Sequence, residues 1–101
     1  MIPVPPPPAV GYGKGMPKVT VYTKENCPFC LRAKRLLDGK GVAYEEIQVE
    51  GRDDLRVWLA EASGRKTVPQ IFVGDRPLGG FSDVDALERE GKLDQILRGE
   101  A

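Results

Sequence analysis

Val19-Thr-Val-Tyr-Thr-Lys24, Glu25-Asn26, Cys27-Pro28-Phe29-Cys30 and Leu31-Arg-Ala-Lys-Arg-Leu-Leu-Asp-Gly-Lys40 follow one another without a break. The first six residues are rich in β-branched and aromatic side chains and predict a strand. The last ten predict a helix. Between them lie the only two cysteines of the 101-residue chain, spaced Cys-x-x-Cys. At a strand-to-helix junction that spacing points to redox chemistry. The competing use, a structural zinc site, needs four ligands. Two cysteines in a chain without histidine do not supply them, and no metal is expected.

Working outward, the pattern alternates. Val19, Val21 and Tyr22 form a first strand, mostly apolar because both faces are buried. Pro28 to Lys40 forms a first helix, with Ala33, Leu36 and Leu37 inward and Arg32, Lys34 and Arg35 outward. Ala43 to Val49 is a second strand. Asp53 to Ser63 is a second helix with Leu55, Trp58, Leu59 and Ala62 on one face, closed by Gly64. Gln70-Ile-Phe-Val73 turns at Gly74-Asp75 into Arg76-Pro-Leu78, which Pro77 confines to a sheet edge. Ser82 to Arg89 is a third helix with Val84, Leu87 and Phe81 inward, and Leu93, Ile96 and Leu97 add a last helical turn. The order β-α-β-α-β-β-α predicts an α/β fold. Its mixed four-stranded sheet has its first two strands parallel through a right-handed crossover and helices on both faces, the minimal thioredoxin-like architecture.

Residues 1–17 differ in composition. Met1-Ile-Pro-Val-Pro-Pro-Pro-Pro8 favours polyproline II, and Gly11-Tyr-Gly-Lys-Gly15 adds flexibility. This predicts a flexible N-terminal arm, either a plain leader or a proline-rich ligand, ahead of one domain over 18–101.

Net charge is zero, so neither nucleic acid nor a membrane surface is indicated as a partner. No apolar run approaches the ~18 residues of a membrane span, and no secretory signal is visible. Cytoplasm is the expected location, where a lone Cys-x-x-Cys cycles between dithiol and disulfide. Residues 18–42 carry Lys18, Lys24, Arg32, Lys34, Arg35 and Lys40 against Glu25 and Asp38. Residues 43–62 reverse the balance, with six acids against Arg52 and Arg56. Two readings stand: differing solvated faces, or a positive field around the cysteines that favours thiolates and anionic ligands.

Local geometry makes Cys27 the reactive partner. With Cys27 capping the helix, Pro28 takes the first helical position, where its missing N–H costs nothing. The N–H groups of Phe29 and Cys30 are then free to face the Cys27 sulfur. A cysteine with pKa ~8.5 is about 3% thiolate at pH 7. Lowering that pKa by ~3 units takes about 4 kcal/mol. A partly buried helix N-terminus contributes up to ~2 kcal/mol, and N–H bonds to a charged group ~1.5–3 kcal/mol each. The two effects overlap, yet together they suffice without histidine. Lys24 adds a positive neighbour. Cys30, three residues on, lies roughly 5–6 Å away at Cβ, close to the ~3.5–4.5 Å a disulfide needs.

Four features carry a family resemblance: Tyr22-Thr-Lys-Glu-Asn-Cys-Pro-Phe-Cys30, Thr67-Val-Pro-Gln-Ile-Phe72, Gly79-Gly-Phe-Ser-Asp83 and the intervening β-α-β pattern. In this order and spacing the chain resembles a glutaredoxin over about residues 18–97, of the dithiol CPFC type. The resemblance implies a glutathione-dependent oxidoreductase acting on protein–glutathione mixed disulfides and protein disulfides, with glutathione as reductant. It implies Cys27 as nucleophile and Cys30 as resolving cysteine. It places Val68-Pro69 at a cis-proline step whose Val68 backbone clamps the glutathione peptide like an added strand. Lys24 meets a glutathione carboxylate, Thr67 lines the groove and Phe29 walls it. Gly80, Ser82 and Asp83 hold the γ-glutamyl end, with helix N–H groups for its carboxylate and Asp83 for its ammonium. Arg65 is a further candidate for the glycyl carboxylate. Phe81 stands where many relatives carry a third cysteine. Partners are glutathione and glutathionylated or disulfide-bonded proteins, and the chain is expected to be a monomer.

Two other functions fit a Cys-x-x-Cys pair. One is an iron–sulfur carrier bridging two chains with two glutathiones, which the rigid Pro28 disfavours. The other is a reductase recycled by a flavoprotein, for which the Trp-Cys-Gly-Pro-Cys of thioredoxins is missing.

Overall fold

The computed structural model describes residues 17–99. Except for Pro17, the N-terminal arm expected from composition lies outside them. The elements are β1 (Val19–Thr23), α1 (Pro28–Gly39), β2 (Tyr44–Gln48), α2 (Asp53–Ser63), β3 (Gln70–Val73), β4 (Arg76–Gly79), α3 (Phe81–Arg89) and α4 (Leu93–Leu97). They form one four-stranded sheet ordered β2-β1-β3-β4. β1 runs parallel to β2, with Val21 opposite Glu46, and antiparallel to β3, with Val21 opposite Ile71. β4 pairs antiparallel with β3 at the edge, where Pro77 sits opposite Phe72. A residue without an N–H is tolerated at such an edge.

Pleating divides the core in two. Val19, Val21, Ile71 and Val73 point to one face and pack with Ala33 and Leu37 of α1, Val84 of α3, and Leu93, Ile96 and Leu97. Tyr22 and Phe72, one residue out of phase, point to the other face and pack with Val49, Leu55 and Leu59. There the Phe72 ring meets Tyr22 edge-on at 5.4 Å and stacks with Trp58 at 6.0 Å between centroids. Helices therefore cover both faces, as the alternating pattern predicts.

One expected core position differs. Ala62 is exposed, and the α2 stripe is Leu55, Trp58 and Leu59 alone. On the final turn a single methyl group adds too little reach to join it. The basic segment is also less open than its sequence suggests. Lys18 pairs with Glu45, Lys34 with Glu46 at 3.0 Å, and Lys40 with Glu88 at 2.7 Å and Asp94 at 2.9 Å. Acids of β2, α3 and α4 thus meet Lys34 of α1 and the lysines just before β1 and just after α1, which weakens the positive-field reading.

Candidate active site

β1 is buried along its whole length and delivers the chain to the end of the sheet. Asn26 then adopts φ 56°, a left-handed conformation that asparagine tolerates better than most residues. That single turn sets Cys27 in extended geometry as the N-cap of α1, with Pro28 opening the helix. The Cys30 N–H donates to Cys27 Sγ at 3.2 Å. Of the two N–H groups expected to face the sulfur, this is the one in hydrogen-bonding contact. Cys27 is half-buried, whereas Cys30 is 2% exposed. The pair is closed as a disulfide with the Cα atoms 5.2 Å apart. Cys27 is therefore the more accessible residue of the pair, and Cys30 offers little surface to an outside molecule.

The Val68–Pro69 peptide bond is cis, as the resemblance implies. The Val68 carbonyl oxygen lies 3.8 Å from Cys27 Sγ, so this backbone borders the sulfur directly. Pro69 is buried and Val68 packs partly against the α2-side core. Thr67, just before them, is exposed. Its carbonyl and hydroxyl accept from Gln70 Nε2 at 3.0 and 3.4 Å. Gln70 is fully buried, an anchoring role that a polar residue at the start of a strand does not advertise in sequence.

α3 begins against the same segment. A Cβ on Gly80 would lie 3.3 Å from the Pro69 carbonyl oxygen, so glycine lets the two backbones approach. Gly79 holds φ 108°, and a Cβ there would stand 2.5 Å from Asp83 Oδ2. With that space empty, Asp83 folds back and accepts the Gly80 N–H at 2.9 Å. Arg65 donates to the same carboxylate, Nη1 to Oδ2 at 2.6 Å and Nη2 to Oδ1 at 3.3 Å. The guanidinium chiefly, and then the Gly80 N–H, hold the Asp83 carboxyl below the ordinary carboxylate range against a partial burial penalty. Arg65 therefore sits at the α3 end, committed to Asp83. Ser82 is exposed on the first turn.

Phe29 is 51% exposed beside the cysteines, with its ring centroid 6.4 Å from that of Phe81 and the Arg32 guanidinium 5.2 Å above it. Lys24 lies on the β2 side of the pair, lining a cleft with Cys27, Cys30, Lys34, Glu46 and Gln48. Within that cleft Glu46 Oε2 accepts from the buried Thr23 hydroxyl at 2.7 Å and from Lys34 Nζ at 3.0 Å. These donors, Thr23 first, lower the Glu46 pKa. Sequence reasoning missed Glu46, because only the β1–β2 register brings it to Thr23.

The predicted residues thus fall into two groups flanking Cys27. Thr67, Val68, Pro69, Gly80, Ser82 and Asp83 lie toward β3 and α3, and Lys24 lies toward β2. Among the described residues, no cluster of three or more His, Cys, Asp or Glu side chains is arranged to hold a metal ion. Nor is any helix among them long and apolar enough to cross a membrane.

A family model described as glutaredoxin matches residues 19–78. The chain is 51% identical over 82 residues to a glutaredoxin of Pseudomonas aeruginosa, covering 81% of this chain and 98% of that protein. It is 46% identical over 83 residues to glutaredoxin 3 of Escherichia coli, covering 82% of this chain and all of that one. A buckwheat glutaredoxin solved in complex with glutathione superimposes with a TM-score of 0.75 at 32% identity, covering 80% of this chain and 76% of that one. The chain belongs to the glutaredoxin family and is a thiol–disulfide oxidoreductase.

Proposed function

We propose that Cys27 is the nucleophile and Cys30 the resolving cysteine of a glutathione-dependent reduction of protein–glutathione mixed disulfides and protein disulfides. The observation that carries this is the asymmetry of the pair: Cys27 caps α1, accepts the Cys30 N–H and is half-buried, while Cys30 is 2% exposed. A helix N-terminus favours the thiolate at its cap and disfavours none of the attack geometry. With a glutathionylated protein, Cys27 thiolate forms a bond to the glutathionyl sulfur and the protein thiolate leaves. A second glutathione thiolate then takes the glutathionyl group as oxidised glutathione and returns Cys27 to thiolate. With a protein disulfide, Cys27 forms a mixed disulfide. Cys30 loses its proton, attacks Cys27 and expels the second substrate thiolate, leaving the Cys27–Cys30 disulfide, the state of the pair in the structure. Two glutathiones re-reduce it.

Glutathione lies along the β3 side in this reading. The Val68 backbone pairs with its peptide, Thr67 and Pro69 line the groove, and Phe29 walls it. Gly80, Ser82 and the α3 N–H groups receive the γ-glutamyl carboxylate, and Asp83 its ammonium. Lys24, from the far side of Cys27, reaches the glycyl carboxylate. The buckwheat relative's glutathione complex supports a glutathione site on this fold. The domain acts as a monomer over residues 18–101, with 1–17 as an appended arm, in the cytoplasm, where glutathione keeps thiols reduced.

The test is turnover with glutathione and its reductase for wild type, Cys27→Ser and Cys30→Ser. Cys27→Ser abolishes both activities. Cys30→Ser keeps deglutathionylation and loses most protein-disulfide reduction. A Cys30→Ser enzyme that no longer deglutathionylates refutes the assigned roles.

A further inference from the structure

Arg65 is a charged side chain that touches the proposed γ-glutamyl site through Asp83. Its place is built. Gly64, at φ 79°, ends α2, and the Arg65 N–H donates to Ser63 Oγ at 3.2 Å. The loop thereby aims the guanidinium across 18 residues of sequence at Asp83. As a stabilising device the pair is weak, because the Arg65 side chain is 52% exposed and surface ion pairs contribute little. Its geometry matters more than its strength.

Asp83 Oδ2 is occupied twice, by the Gly80 N–H at 2.9 Å and Arg65 Nη1 at 2.6 Å. Oδ1 takes a longer contact, 3.3 Å from Nη2, and the Asp83 backbone N–H also acts on the carboxylate. A carboxylate offers acceptor positions on both oxygens, so Oδ1 retains room for a ligand ammonium while Oδ2 keeps its donors. A guanidinium has five N–H groups in a planar fork, and those not spent on Asp83 remain for a second carboxylate. A lone ammonium at Oδ1 meets a like charge beside it. A ligand that also brings a carboxylate to Arg65 converts that repulsion into an alternating ring of four charges. An α-amino acid end group is the chemistry that supplies both charges from one carbon.

We propose that Arg65 is a specificity-determining residue: while holding Asp83, it receives the α-carboxylate of the γ-glutamyl group, so the site selects a zwitterionic end. This rests on the placement of the γ-glutamyl group at Asp83. It makes the α3 end a discriminator against glutathione-like disulfides that lack either charge, and moves Arg65 from the glycyl to the γ-glutamyl end of the ligand.

The experiment uses three mixed disulfides of one fluorescent peptide: with glutathione, with glutaryl-Cys-Gly, which lacks the amine, and with 4-aminobutyryl-Cys-Gly, which lacks the α-carboxylate. Single-turnover release of the peptide thiol by pre-reduced protein is measured for wild type, Arg65→Gln and Arg65→Lys. Rate ratios within one preparation do not depend on the fraction folded. Wild type prefers glutathione over each analogue by about tenfold or more. Arg65→Gln keeps its preference over the glutaryl compound, but its preference over the 4-aminobutyryl compound falls about three- to fivefold, the α3 N–H groups retaining the remainder, and Arg65→Lys lies between. Full preference over the 4-aminobutyryl compound in Arg65→Gln overturns the proposal. So does loss of both preferences together, which reduces Arg65 to a support for Asp83. No preference in wild type itself sinks the placement of the γ-glutamyl group at Asp83, and with it this inference.

Discussion

Replacing Gly79 with alanine tests the α3 end through a single methyl group. Gly79 holds φ 108°, where an L side chain costs roughly 1–3 kcal/mol. The new Cβ would also stand 2.5 Å from Asp83 Oδ2 and 2.7 Å from its Cγ. Restoring ordinary contact at 3.4 Å moves Oδ2 by 3.4 − 2.5 = 0.9 Å. Directed away from Gly80, that displacement stretches the 2.9 Å bond from the Gly80 N–H to 2.9 + 0.9 = 3.8 Å, beyond hydrogen bonding. Loss of a helix cap costs about 1 kcal/mol. Strain and lost cap together predict about 2–4 kcal/mol and a Tm lower by roughly 8–30 °C. Deglutathionylation should show a KM raised about five- to tenfold with kcat changed less, because the proposed role of Asp83 is to bind the ligand and not to react. Thermal melts and initial rates at fixed reductant measure both. Adding Asp83→Ala removes the two nearest atoms, so the double variant should cost about 1 kcal/mol less than the sum of the singles. A Gly79→Ala protein with unchanged Tm and KM, or strictly additive costs, refutes the reasoning.

Glu46→Gln probes the cleft on the β2 side. The Thr23 hydroxyl and then Lys34 hold the folded carboxyl below its unfolded pKa of about 4.3, so its contribution is complete above that pH and disappears as pH falls through the folded value. Melts from pH 7 downward should show the variant's Tm deficit shrink to nothing in acid; a deficit constant across pH contradicts the assignment. Asn26→Val places a β-branched residue at φ 56°, predicting a loss of about 1–2 kcal/mol, whereas Asn26→Gly should be close to neutral. Chemical denaturation separates the two, and equal stabilities would show that the left-handed turn before Cys27 is not required.

Periodicity and turn residues alone placed α2 and β3 at their observed bounds and the remaining elements to within a residue or two. They succeed because β1 and β3 are buried and rich in β-branched and apolar residues, helices carry a single apolar stripe, and glycine or proline marks most ends. The capping geometry at Cys27 was legible for the same local reason: the cap, the proline and the N–H are all neighbours in sequence. Ala62 failed because a stripe predicts direction and not reach.

What sequence could not supply is everything made across long separations. The pairing of Thr23 with Glu46 depends on strand register, and that of Arg65 with Asp83 on where a loop after α2 meets the first turn of α3. The apparent basic field of residues 18–42 was altered by acids up to 54 residues away, as Lys40 meets Asp94. Charges interact through space, so their pattern along the chain does not reveal their partners. The sequence by itself determined the element order, the cysteine chemistry and the family. Tertiary structure decided on which side of Cys27 Lys24, Val68, Gly80 and Asp83 lie, and that Arg65 pairs with Asp83, because both follow from packing distant segments of the chain against one sheet.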